Sequence, residues 1–393
     1  MKKRSMTIAA LGLACAMFAA ACGTETEPGG DSETVHELIP ADDGIGIAQG
    51  DGEGSGSQEE VPEEEEDVIP EGMYRSELTN EFISLDLQDQ RPIAVMVDNE
   101  ITALPHFGTS QADIVYEMVN STLNGRITRL MCIVKDWGNL EQFGSVRSTR
   151  PTNVMIAGEY NAILCHDGGP YYINTFLSRD YSNNISGYFA RFPNGKSREY
   201  TEYVTSDGYT NPQTGDYYRG LNELVDFLGY SATYNEHKQE PHFQFSRKDI
   251  KLSDEHSDAF KAVDVKLPFP HNSSELHYNA DTGLYEYWEY GQKYVDAGNN
   301  DAPLAFKNVI LQKCNFTQLD EHGYLVYNIM VADPWDGYLL QGGEAIPIKW
   351  VKYGQENIPT VFMNMDDSFI TLNTGKTYIA IVPDDAWSEV ELK

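Results

Sequence analysis

Apolar residues in this chain fall mainly in short runs, and helical spacing is rare. Ile93–Val97, Ile114–Val115 with Tyr116, and Leu130–Val134 are strand-length runs rich in β-branched residues, each closed by charged side chains. That pattern predicts buried strands. Ala162–Cys165 is a further buried strand, and Gln111–Asn120, following Ser110, reads as a short helix or strand. Pro151–Tyr160 is entered through Ser148-Thr149-Arg150 and predicts a helix, with proline where a missing backbone donor costs nothing. Leu221, Leu224, Val225 and Leu228 share one face of an amphipathic helix. Strand and helix patterns thus alternate over residues 73–235, as in an α/β domain built on a central sheet. From residue 240 to 393 the pattern changes. Short alternating segments such as AVDVKL, LYEYWEY, KNVILQK, AIPIKWVKY and KTYIAIV recur between turn signals, predicting a mostly antiparallel all-β domain. Asp366-Asp367-Ser368 and Asn373–Lys376 are its expected hairpin connections. The expected fold class is therefore α+β.

Two segments stand outside this pattern. Lys2, Lys3 and Arg4 precede an apolar run from Ile8 to Ala21 that is too short to span a bilayer comfortably, so residues 1–22 read as an export signal. Residues 23–72 read as a disordered, self-repelling acidic tether. Between Gly23 and Tyr74 there are seventeen Asp and Glu and no Lys or Arg, about half of the excess behind the net charge of −33. The remainder is only moderately acidic and lacks the basic stripe that nucleic acid requires. The acidic runs also lack the spacing of a calcium loop. Three cysteines lie beyond the signal and tether, Cys132, Cys165 and Cys314. An odd number gives no full disulfide framework. Cys132 and Cys165 could pair across neighbouring strands, or remain buried thiols.

The charged groups closing the strands are the candidate chemistry: Asp98 with Asn99, Asp113, Glu117, Arg126, Arg129, Arg147, Arg150, and His166 before Gly168-Gly169. Ligand sites of α/β sheets lie at strand ends. Arg147 and Arg150 flank a helix start, where free N–H groups already favour an anion, and the guanidinium fork suits phosphate or carboxylate oxygens. One expectation is an anion pocket that binds an envelope ligand or a protein partner; another is that Asp98, Asp113 and Glu117 pair internally with the arginines. A third makes the protein an enzyme, with Asp98 and Asp113 holding magnesium beside a diphosphate. No cofactor is expected otherwise, and no metal-ligand spacing or nucleophile motif occurs. Tyr285, Tyr287, Trp288, Tyr290, Trp335 and Trp350 form either a sugar-stacking face or core and cross-strand pairs.

Two resemblances extend this reading. Ala19-Ala20-Ala21-Cys22-Gly23 resembles the lipobox of bacterial lipoproteins, although Ala19 stands where leucine is usual. It implies a diacylglyceryl group on Cys22 and attachment to the extracytoplasmic face of the cell membrane; the alternative is cleavage after Ala21. The blocks RPIAVMVDN from Arg91, QADIVYE from Gln111, GRITR from Gly125, GSVRSTR from Gly144, and His166 with Gly168-Gly169 resemble the DUF3048 family of YerB-like bacterial lipoproteins. KNVI from Lys307 and the stretch from Pro359 to Pro383 are similar to that family's C-terminal domain. The family carries no assigned activity. Where its members tend to read Arg-x-x-Pro-His-Asn, this chain has Arg198-Glu199-Tyr200-Thr201-Glu202-Tyr203. The order of Asp and Arg along the chain is also similar to that of the LytR-CpsA-Psr enzymes, which attach glycopolymers to the wall, and this implies the alternative of a cell-wall enzyme acting on glycans or lipid-linked pyrophosphate.

Metabolic labelling of the producing cell with a clickable fatty acid is expected to label the wild-type chain and not Cys22→Ser. Equal labelling of the two would exclude Cys22 as the anchor.

Overall fold

The apolar runs of both halves of the chain meet in one sheet. The computed structural model describes residues 68–393; the expected signal, Cys22 and nearly all of the tether lie outside the described residues. Five strands come from the first half: Ile93–Asp98 (β1), Ile114–Val119 (β2), Thr128–Val134 (β3), Ile163–His166 (β4) and Asn183–Ser186 (β5). Six come from the second: Phe260–Lys261 (β6), Asn308–Cys314 (β7), Val331–Gln341 (β8), Glu344–Lys352 (β9), Val361–Met363 (β10) and Thr377–Pro383 (β11). Their order is β6-β9-β8-β7-β11-β2-β3-β1-β4-β5, with β10 also on β9. Every residue of β1, β2, β3 and β11 is buried. These strands are covered on both faces, which is why they read as continuous apolar runs.

The junction is β11, which lies parallel to β7 on one side and parallel to β2 on the other, with Thr377 opposite Asn308 and Ile114. Residues 68–393 therefore do not part into an α/β body and a separate β body, and strand is the predominant regular structure among the described residues. β2 and β3 are an antiparallel pair and so are β1 and β3, with no α-helix between them. Gln111–Asn120 resolves as a short 3-10 turn followed by β2. The expected helix at residue 151 forms as Pro151–Glu159 (α1), with every residue buried. A helix enclosed on all sides needs no polar face, which explains its weak amphipathic signature. Leu221–Phe227 is the other helix that the sequence predicted.

Local chemistry sets the connections. β8 and β9 join through Gly342-Gly343, with φ of 59° and 82°. Positive φ at both central residues is what a type I′ hairpin turn requires. Asp366–Ser368 is also a tight turn, closed by Asn364 N–H to the Ser368 carbonyl. Asn373–Lys376 departs from the expected hairpin, because Thr371–Asn373 pairs in parallel with Gln244–Ser246.

A second, six-stranded sheet containing Glu275–Asn279 and Leu284–Glu289 packs on the first. The ring of Tyr378 on β11 lies 5.8 Å from Tyr287 and 5.3 Å from Phe306. Tyr285, Tyr287 and Trp350 are fully buried, and Trp335 faces Trp350 across β8 and β9. Burial withdraws these three rings from the sugar-stacking face considered above. The sheet's two halves are also pinned by charge. Lys352 Nζ on β9 lies 2.8 Å from Glu159 Oε1 at the end of α1, both side chains fully buried, and Thr360 N–H donates to Glu159 Oε2 at 2.8 Å. Cys132, Cys165 and Cys314 are free and buried.

A fragment of residues 68–235 is expected to show no cooperative urea transition by circular dichroism, whereas residues 68–393 unfold in a single one, because the fragment leaves β2 without β11. A sharp, native-like transition in the fragment would refute this dependence.

Candidate functional site

The C-terminal end of β1, the turn before α1 and two loops from the second half enclose a polar cavity of about 510 Å³. Asp98, Arg129, Arg147, Ser148 and Arg150 line it together with Tyr200, His271 and Tyr324. Strand register places the first of these: Asp98 is the last residue of β1, directly opposite Arg129 at the start of β3. The Arg147 carbonyl accepts the Asp167 N–H at 2.9 Å and the Gly168 carbonyl accepts the Thr149 N–H at 3.1 Å, which fixes the turn beside β4. Arg150 occupies the position before α1, where Asn153 Oδ1 accepts its backbone N–H at 3.1 Å.

The three guanidinium groups are unequally compensated. Arg147 Nε approaches Asp98 Oδ2 at 2.9 Å, and its Nη2 donates to Glu199 at 2.6 Å. Arg129 Nη2 is 3.6 Å from Asp98 Oδ1, so the two arginines share that carboxylate. Arg150 makes no ion pair among the described residues. Its Nη1 donates to the Thr149 carbonyl at 2.8 Å and to Ser148 Oγ at 3.2 Å, and its guanidinium lies 3.9 Å from the centre of the Tyr324 ring. Arg150 is only 5% exposed. Burial, with the charge of Arg129 beside it, pulls its pKa down to about 9. Burial lowers that of Arg129 too, opposed by Asp98 and reinforced by Arg147. Arg129 Nε, Arg150 Nε and His271 Nε2 are buried donors or potential donors without a partner. A buried cation lacking a counter-ion is costly, and these residues line a cavity large enough to admit one.

The remaining predicted residues lie elsewhere, for identifiable reasons. Asn124, Gly125 and Arg126 all have positive φ, which turns Arg126 outward into a bidentate pair with Asp385 at 2.8 and 2.6 Å. Asp113 precedes β2 and accepts Lys135 N–H at 2.7 Å. β1 and β2 run in the same direction on either side of β3, so Asp98 ends one strand while Asp113 begins the other, about 15 Å away along the sheet. The two carboxylates cannot share a magnesium ion. Burial pushes Asp113 up to about 6. Glu117 is fully buried between the sheets, where its carboxylate accepts from Thr128 Oγ1 at 2.6 Å, Ser274 Oγ at 2.7 Å and the Tyr378 hydroxyl. Burial raises its pKa, opposed by these hydrogen bonds. Asn99 is also buried, its Nδ2 3.4 Å from Glu117 and its carbonyl accepting from the Tyr290 hydroxyl at 2.8 Å. His166 bonds the Gly168 carbonyl at 2.9 Å and Asn184 Oδ1 at 3.3 Å, and burial lowers its pKa. Glu117, Asn99 and His166 thus serve packing, outside the cavity lining.

Ser148, Tyr200, His271 and Tyr324 escaped the sequence reading. Ser148 lies within a block singled out for its arginines and Tyr200 within the Arg198–Tyr203 stretch singled out as a departure, while His271 and Tyr324 come from the second half, read as a separate domain. Within Arg198–Tyr203, Tyr200 lines the cavity and Glu199 pairs with Arg147, while Glu202 is buried against Arg191, its carboxyl pushed up to about 8 mainly by burial.

This chain belongs to the DUF3048 family. Residues 78–218 match the domain described as "Protein of unknown function (DUF3048) N-terminal domain" and residues 265–379 match the corresponding C-terminal domain. It is 25% identical over 329 residues to a protein named "Putative lipoprotein YerB" of Bacillus subtilis (strain 168), covering 82% of this chain and 90% of that protein. The crystal structure of the YerB protein from Bacillus subtilis superimposes with a TM-score of 0.64 at 21% identity, covering 81% of this chain and 99% of that one, and so shares its fold. Among the described residues no helix is long and apolar enough to cross a membrane. The cavity takes Asp98 to Tyr200 from the first matched region and His271 and Tyr324 from the second.

Because burial lowers the pKa of His166 below its unfolded value near 6.5, the unfolded chain takes up the proton first as pH falls. The stability from keeping this ring neutral is fully present above that value and is lost on acidification below it. The urea-unfolding free energy of His166→Gln is expected to fall less steeply than wild type between pH 7 and 5, by up to about 1.4 kcal/mol per pH unit. Identical slopes would contradict the assignment.

Proposed function

We propose that this protein is a lipid-anchored, extracytoplasmic component of the cell envelope that binds an anionic ligand through Arg129, Arg147 and Arg150. The observation that carries this reading is the buried Arg150 guanidinium, held open toward a cavity with hydrogen bonds to neutral oxygens and no carboxylate. A structural ion-pair cluster would have placed an acid against it. Charged hydrogen bonds from a guanidinium fork are among the stronger polar contacts available to an entering oxyanion, and they cost little reorganisation when the fork is already stacked on Tyr324. The concave shape suits one group of an envelope molecule better than a flat protein surface. Lipid anchorage rests on the Cys22 sequence and on the printed name of the Bacillus subtilis relative.

The full chain is expected to co-sediment with purified wall sacculi at low salt and to lose most of that association in 0.5 M NaCl. Arg150→Gln should weaken the low-salt association at least about tenfold, the loss of one charged bidentate contact, while Arg126→Ala leaves it unchanged. Equal sedimentation of Arg150→Gln and wild type, or failure of the wild type to associate with either sacculi or anionic vesicles, would overturn the reading.

A further inference from the structure

The same pocket discriminates among anions. Resting on the anion-binding reading above, we infer that its ligand is a phosphodiester: a singly charged phosphate carrying a hydroxyl-rich substituent on each side.

Charge sets the valence. Asp98 and Glu199 contact the guanidinium groups of Arg129 and Arg147, which leaves Arg150 as the one of the three with no acid in contact, Asp320 acting on it only at longer range. The other acid of the lining, Glu100, accepts the Thr102 N–H at 2.8 Å and lies 3.4 Å from the Tyr200 hydroxyl. A dianionic phosphate monoester would set twice the charge of a monoanion against Asp98 and Glu100, while only Arg150 lacks an acid in contact. A neutral sugar would leave the Arg150 charge buried and unpaired.

Donor geometry separates the two remaining monoanions, carboxylate and phosphodiester. A carboxylate offers two oxygens in one plane, and a single guanidinium fork satisfies it. Here the unpartnered buried nitrogens belong to several elements of the lining: Arg129 Nε on β3, Arg150 Nε in the turn before α1, and His271 Nε2 in a loop of the second half. Ser148 adds a donor. Its Oγ already accepts from Arg129 Nη1 at 2.8 Å and Arg150 Nη1 at 3.2 Å, which leaves the hydroxyl proton free to donate. Donors spread over separate elements suit tetrahedrally disposed oxygens better than a planar pair. Apart from Ile127, the rest of the wall is neutral and polar. Asn120, Asn124 and Tyr200 offer two amides and a ring to the flanking hydroxyl-rich units, and about 510 Å³ lies within the usual range of roughly 300–1,000 Å³ for small-ligand sites.

Titration calorimetry of the full chain at pH 7.5 with glycerophosphoglycerol, glycerol 3-phosphate and glucuronate tests this. The diester is expected to bind at least about tenfold more tightly than either of the others. Ser148→Ala should weaken the diester several-fold, Arg150→Gln should abolish its heat, and Arg126→Ala should leave it unchanged. Should Arg150→Gln not fold, Ser148→Ala and the three wild-type titrations suffice to decide. Flotation with vesicles of phosphatidylcholine containing or lacking phosphatidylglycerol separates the sources. Diester binding in solution without flotation supports a soluble polymer, and Ser148-dependent flotation only with phosphatidylglycerol supports a lipid headgroup. Equal or tighter binding of glucuronate or glycerol 3-phosphate would overturn the diester assignment while leaving the anion-binding reading intact. Absence of heat with all three, absence of flotation and absence of sacculus binding together would overturn both.

Discussion

The structure depends on β11 occupying the gap between β7 and β2. Five of its residues pair with β2 in parallel, Thr377–Ile381 with Ile114–Met118, and all seven pair with β7. Parallel pairing on both sides requires that each face be covered, which α1 and the six-stranded sheet provide. Tyr378 extends the tie: its ring packs on Tyr287 and Phe306, and its hydroxyl meets Glu117. One short strand thus couples the sheet, the second sheet and the strand that carries a buried acid. The cavity inherits this coupling, since His271 and Tyr324 reach the arginines only because the second half is held against the first.

Within the cavity, electrostatics and packing oppose each other. Removing Arg129 and Arg150 from water disfavours their charged forms, and their proximity adds repulsion. Asp98 relieves Arg147 and part of Arg129, and the Tyr324 ring relieves Arg150 through its quadrupole. The fold tolerates a locally unfavourable arrangement, as functional sites commonly do. Stability supplied elsewhere, by strands buried along their whole length, makes this tolerable.

Much of the first half was legible in the sequence, because β-branched runs bounded by charge have few alternative readings. β1, β2, β3, β4 and α1 fall where the pattern predicted, and Asp98, Arg129, Arg147 and Arg150 meet because strand ends and a helix start are neighbours. What could not be read is what depends on chain direction or distant contact. Asp98 and Asp113 look alike in sequence, yet one ends a strand and the other begins one. Arg126 sits three residues from Arg129 but follows Asn124 and Gly125 into positive φ and finds Asp385, 259 positions away. The sharing of one sheet by both halves had no local sign, because β11 is an apolar run that an antiparallel β domain would also contain.

The position of β11 also orders events in time. A ribosome delivers β2 more than 250 residues before it delivers Thr377–Pro383, so throughout that interval β2 presents an unpaired apolar edge, the kind of surface on which nascent chains associate with one another. Completion of the sheet waits for nearly the last segment made. A premature stop that removes only the final seventeen residues, from Thr377 onward, would therefore release a chain carrying almost all of its sequence and lacking the strand at its centre.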